Sequence, residues 1–347
     1  MGSFSQSPSH PHDHPIGRPV TRRSLLVAAG GSVGALLLAS CVAERPGVPP
    51  ETGSGLARVP GSAGTSNGSG LPAGFAEFAD SVTVLARPDL WLVESSGMPL
   101  HGMMVGITSW QQQVPTPQPY SGDNAWQIPR NPRVSDHPVS ARTSLYRGAI
   151  ALAVNGVPIF NALNNRGDDA FLAGELDHWG GHSGRADDYH YHVAPLHLQG
   201  RVGTSSPIAW ALDGFPIYGL TESDGSAVNG LDEFNGHEGT GGYHYHASNT
   251  YPYINGGLHG VVVVAQDQIE PQPTTQPFRP AGAPLRGATI TGFTAVGTDG
   301  YRLDYSIDGK AGRIDYTVNA EAANFVFTDP SGRTTNATYL RGGPRRG

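Results

Sequence analysis

The strongest constraint on this chain is that it says one thing twice. Residues 155–192 and 213–246 carry the same elements in the same order. The first copy runs from NGVPIF (155–160) through LDHWGGH (176–182) to YHYH (189–192). The second runs from DGFPIYG (213–219) through LDEFNGH (231–237) to another YHYH (243–246). His182 and His190 stand 8 positions apart, and His237 and His244 stand 7 apart. The unit is about 55–58 residues long by alignment of the copies, and such self-similarity marks one supersecondary block used twice. Two copies commonly pack around a pseudo-twofold axis. That arrangement would bring equivalent histidines toward one shared place.

The unit reads as β-structure. Asn155-Gly156 is a turn signal between two apolar runs, 148–154 and 157–163. Gly 48 and Pro 29 against 15% charged residues suit a loop-rich β protein better than a helical bundle, and few segments have a helical period. The expected fold is mainly β, with duplicated antiparallel β units forming one core domain and a small C-terminal β-sheet. The core is expected over 75–270, a linker over 271–284, the small sheet over 285–330 and a flexible tail over 331–347. The Pro-rich stretch 114–138 reads as a long surface loop, and HGVVVVAQ (259–266) as a buried strand. A net charge of −7 with no basic half excludes a nucleic-acid footprint.

Residues 1–41 read as an address. Arg22 and Arg23 precede an apolar, Gly-rich run from Leu25 to Leu38, too short for a comfortable membrane span and flanked like an export signal. The arginine pair resembles a twin-arginine (Tat) signal, and LASC (38–41) resembles a lipobox. Cys41 is the one cysteine of the chain, so lipidation is the use expected for it, and no internal disulfide or thiolate ligand remains. His10, His12 and His14 precede the signal and leave with it. Residues 42–74, rich in Gly, Pro and Ser, read as a tether between lipid and domain. The expected location is outside the cytoplasm, anchored to the membrane.

The chemistry lies in the histidines. On an extended strand His190 and His192 share one face while Tyr189 and Tyr191 share the other. His244 and His246 repeat this, and His182 and His237, each after a glycine, can fold back as third nitrogens. Six imidazoles without a thiolate suit a transition metal, Zn or Cu first, whose bonds to nitrogen are about 2.0–2.1 Å. Asp177 and Asp232, at equal positions in the copies, are candidate orienting groups or ligands, and Asp213 a lesser one. His101 sits among Met98, Met103 and Met104, a mixture that can hold Cu(I). Glu233 and Asp232 are the candidate general bases if the site is catalytic. His137, His197 and His259 lack partners by sequence and read as structural. The tyrosines read as packing groups.

The GH-loop-YHYH pattern together with GFPIYG resembles the YHYH-domain proteins, over roughly residues 98–265. The resemblance implies an exported bacterial protein and this fold unit with its suspected site, and it brings no reaction with it. Where relatives often carry a cysteine before the GH pair, this chain has Trp179 and Phe234, so no thiolate role carries over. Three functions compete at this point. One is a metal-binding lipoprotein, another a metal-dependent hydrolase or oxidoreductase acting outside the cytoplasm. The third is a glycan-binding module without a metal. Substrate and protein partners are not specified by the sequence.

Overall fold

The computed structural model describes residues 71–239 and 241–341. Arg22, Arg23, Cys41 and nearly all of the expected tether lie outside the described residues. The folded part starts with a 3₁₀ turn at Phe75–Phe78, whose two phenylalanines are buried.

Strands β1 (Val82–Ala86), β2 (Leu90–Ser95) and β3 (Trp126–Pro129) form a small antiparallel sheet. Strand β4 (Val134–Ser140) follows. The first repeat contributes β5 (Ala149–Ala153), β6 (Pro158–Phe160), β7 (Gly181–Ser183) and β8 (Tyr189–Tyr191). The second contributes β9 (Ala209–Ala211), β10 (Pro216–Tyr218), β11 (Gly236–Gly239) and β12 (Gly242–His246). Then come β13 (Gly257–Gly260), β14 (Val263–Ala265) and β15 (Gln268–Glu270). The chain ends in β16 (Ala288–Val296), β17 (Gly300–Ile307), β18 (Lys310–Val318), β19 (Ala322–Thr328) and β20 (Thr334–Leu340). The α-helix found among the described residues, Gln199–Val202, is a single turn. The protein is mainly β, as the sequence predicts.

Both repeats join one eight-stranded sheet in the order β11-β12-β10-β9-β5-β6-β8-β7. Each repeat builds its half in the same way. The N/D-G-x-P turn makes an antiparallel hairpin, β5-β6 or β9-β10, with Gly156 and Gly214 at φ +79° and +96° where a side chain is disfavoured. The G-H strand pairs antiparallel with the YHYH strand, which lies parallel to the P-I-aromatic strand. The halves meet where β5 runs antiparallel to β9, with Ala151 opposite Ala211, Leu152 opposite Trp210 and Ala153 opposite Ala209. Every side chain of β5 is buried, which fits an uninterrupted apolar run in mid-sheet rather than an alternating one.

The five C-terminal strands form a consecutive meander that packs on the same core. Its β16 is tied to the domain by reciprocal main-chain bonds of Ile290 with Gly106 and Ile107, and the Tyr316 hydroxyl donates to Pro115 O at 2.6 Å.

Several local expectations give way. Residues 334–340, expected within a flexible tail, form β20, because main-chain pairing to β19 suffices for an edge strand with few apolar residues. The expected linker 271–284 has no strand, yet it is fastened down. Phe278 is buried, Gln272 bonds both backbone groups of Ala149, and Arg279 is ion-paired with buried Asp187. The Pro-rich stretch 114–138 is no surface loop, since Val114, Trp126 and Ile128 are in the core and β3 and most of β4 lie within it. The run 259–266 is not a buried strand. It breaks between β13 and β14, and Val261, Val263 and Val264 point outward.

Candidate metal centres

Each YHYH strand does what its alternation dictates. In the first repeat the Tyr189 and Tyr191 rings meet at 5.7 Å and the His190 and His192 rings at 5.0 Å. In the second the corresponding spacings are 5.2 and 5.0 Å. One face is tyrosine and the other is histidine.

The tyrosine face anchors the strand. Tyr189 donates to Asp177 Oδ2 at 2.8 Å, Tyr243 to Asp232 Oδ2 at 2.7 Å and Tyr245 to Asp213 Oδ2 at 2.6 Å. Tyr191 instead meets Asn155 Nδ2 at 3.1 Å and His101 Nε2 at 2.7 Å. Asp177 and Asp232 also close the turn before the G-H pair, each accepting two backbone N–H bonds on Oδ1. Burial pushes the Asp177 carboxyl up to about 6, against the hydrogen bonds it accepts. The glycine of each G-H pair is there for clearance. A Cβ at Gly181 would lie 2.6 Å from the Tyr189 hydroxyl, and one at Gly236 would lie 2.1 Å from that of Tyr243.

Asp177, Asp232 and Asp213 therefore hold tyrosines, not the clustered imidazoles; the ring beside Asp232 is that of His259, its Nδ1 3.7 Å from Oδ2. Asp232 has its oxygens committed to Tyr243, Phe234 and Gly236, and Glu233 is exposed beside it, so neither expected general base stands in a histidine cluster. His101 has both ring nitrogens engaged, Nδ1 with Gly102 O and Nε2 with Tyr191, while Met104 Sδ accepts from Ser183 N. Stacked on Trp179 and half-buried, with its pKa lowered to about 4 by desolvation, His101 supports the tyrosine face.

The histidine faces form two clusters rather than one shared site. His182, His190 and His192 make centre I. His237, His244 and His246, joined by Glu222, make centre II. The pseudo-twofold seam lies between β5 and β9, so the YHYH strands are carried outward, one strand in from either edge. Five inter-strand steps separate them, roughly 24 Å at the usual spacing of about 4.8 Å.

The hydrogen bonds behind each ring fix its tautomer. In centre II, His237 Nδ1 bonds Asn229 O at 2.9 Å, His244 Nδ1 bonds Gly242 O at 3.0 Å, and His246 Nδ1 bonds Gly219 O at 3.1 Å. In centre I, His190 Nδ1 bonds Asp188 O at 3.0 Å, His192 Nδ1 bonds Asn161 O at 2.5 Å, and the His182 ring bonds the Glu175 backbone. Asn161 and Gly219 each follow the P-I-aromatic strand directly, and Asp188 and Gly242 each lie two residues before their histidine. The carbonyl frame is duplicated along with the motif. A carbonyl has no proton to give, so each Nδ1 bonded in this way carries the hydrogen and leaves its Nε2 with a bare lone pair.

Those lone pairs converge. His182 and His192 Nε2 lie 3.1 Å apart, as do His237 and His244 Nε2. Glu222 approaches His237 at 3.1 Å, His244 at 3.2 Å and His246 at 3.4 Å. His246 Nε2 is buried without a hydrogen-bond partner. Two facing acceptors repel unless a cation lies between them. A proton is poorly retained in centre I, because burial first and neighbouring imidazoles second lower the pKa of His182 well below normal and that of His192 to about 3. Nitrogens about 2.0–2.1 Å from one ion would be about 3.3 Å apart in a tetrahedral shell and about 3.0 Å in an octahedral one. The Nε2 pair of each centre, at 3.1 Å, falls in that band, and the remaining ligand atoms gather within 4.8 Å, so both donor sets fit a transition-metal ion.

Glu222 is the residue that sequence reasoning missed. The isolated bridges Leu163–Asp169 and Thr221–Ala227 align the copies at an offset that sets Glu222 against Asn164. A search for residues shared by both copies therefore passes over it.

Among known proteins, residues 125–229 match the family model described as YHYH protein. The chain thus carries a YHYH domain; the match takes in all of centre I and Glu222, and ends before His237. Comparison with curated proteins and with solved structures gives no match.

Proposed function

We propose that this chain is an exported, lipid-anchored YHYH-domain protein that binds a transition metal, Zn or Cu, at two histidine centres. The observation that carries this reading is the convergence of carbonyl-fixed Nε2 atoms at metal-shell separations in both repeats. Export and anchoring rest on Arg22, Arg23 and Cys41 in the sequence. Among the described residues no helix is long and apolar enough to cross a membrane.

Centre II offers four protein ligands, the pattern of a closed structural site, whereas centre I offers three. Metal analysis of protein purified without a polyhistidine tag tests the proposal. Two ions per chain are expected, one in His192→Ala and one in His246→Ala. At a metal concentration a thousandfold above Kd, binding adds about 4 kcal/mol of stability, read as a fall in Tm on chelation. A protein without bound metal and with a Tm indifferent to chelator would refute it.

A further inference from the structure

Centre I differs from centre II in what stands opposite its imidazoles. Where centre II has the Glu222 carboxylate, centre I has Asn164, which brings no charge. A cavity of about 160 Å³ opens at centre I, walled on one side by the three imidazoles and on others by Asn165, Arg166, Glu175 and Arg185. Its one nearby lining carboxylate, Glu175, is already neutralised by the Arg166 guanidinium and bonded by Asn164 Nδ2 at 3.3 and 3.4 Å. Asp188 sits behind His190, 3.5 Å from Nδ1 and so on the side away from the Nε2 lone pair. Arg185 is exposed at the same cavity and makes no ion pair among the described residues.

We infer that centre I takes a small oxyanion, a carboxylate or phosphate group, as its outer ligand, with Arg185 providing the countercharge. This rests on the reading that the centre holds a metal ion. Three neutral imidazoles leave a divalent ion its full charge, Asp188 offsets part of it, and Arg185 restores that part. The open coordination position and the guanidinium face one cavity, and planar guanidinium is matched to carboxylate and phosphate oxygens. The volume is below the 300–1,000 Å³ typical of drug-sized ligands, so the bound species is a small anion or the acidic end of a larger one.

The test uses cobalt(II) as the metal in a His237→Ala/His244→Ala protein, where centre I alone contributes to the visible spectrum. Titration with inorganic phosphate in one arm and acetate in the other is expected to shift the d–d bands saturably, and the stronger arm identifies the oxyanion. Arg185→Ala is expected to weaken that binding about tenfold with one cobalt per chain retained. Bound cobalt whose spectrum neither anion moves would overturn the inference and leave the metal reading standing, as would an Arg185→Ala protein with unchanged affinity. Absence of cobalt binding would overturn both. If the double variant fails to fold, the two-cobalt native protein gives the same answer. Its anion-sensitive component should vanish in His190→Ala/His192→Ala, and its persistence there would place the anion elsewhere.

Discussion

The two repeats share a scaffold and differ in their acids. Both hold the last histidine of YHYH through the carbonyl after the P-I-aromatic strand, at Asn161 and Gly219, and both hold the first through the carbonyl two residues earlier. On that common frame the second repeat adds Glu222 to the histidine face and Asp213 to the tyrosine face. The first has Asn164 and Asn155 at those positions. The repeated main chain sets where the imidazoles point, and single acid-to-amide differences set the charge each face must accommodate.

Glu222→Gln should break that contrast most strongly. It gives centre II three imidazoles and an amide, as in centre I, and its metal affinity should fall at least by the 10–100-fold that loss of a supporting partner costs at metal sites. Competition with a chromogenic chelator would read this, with centre I affinity unchanged. An unmoved centre II would mean that Glu222 is not a ligand.

The tyrosine faces give the next effect. Tyr245→Phe leaves the buried Asp213 carboxylate short of a donor and should cost about 1–3 kcal/mol. Tyr191→Phe strands only neutral partners, Asn155 and His101, and should cost about 1 kcal/mol. Urea denaturation of the metal-free proteins compares them, and equal losses would deny that the acid matters.

A more gradual effect comes from pH, through two histidines that flank the first repeat. Desolvation by burial lowers the pKa of His101 to about 4 and that of His197 to about 3. The unfolded chain takes up those protons first, near pH 6.5, so their contribution is intact above that pH. It is lost progressively as pH falls through the range from about 6.5 toward 3–4. The urea midpoint of the metal-free protein should decline over that window, and His197→Leu should flatten the decline.

Much of this was legible in the chain. Alternation in YHYH assigns the two faces without a structure, and the order of elements defines the repeat. The charge partners were not legible, because the duplicated acids, Asp177 and Asp232, are turn-closing groups for the tyrosines. Glu222 occurs in one copy alone. The expected single site failed for a topological reason: the copies join through β5 and β9, the strands farthest from their histidines.

That seam has a further consequence. Ala151 faces Ala211 and Ala153 faces Ala209, while Leu152 meets Trp210, its own counterpart in the other copy. This is the register of an isologous contact, in which one patch is complementary to itself. A single repeat, cut free, would present β5 as an unpaired apolar edge and would close it by pairing with its twin. The covalent chain thus has the form of a two-subunit assembly within one polypeptide, and a single polypeptide can carry Glu222 on one side without carrying it on the other.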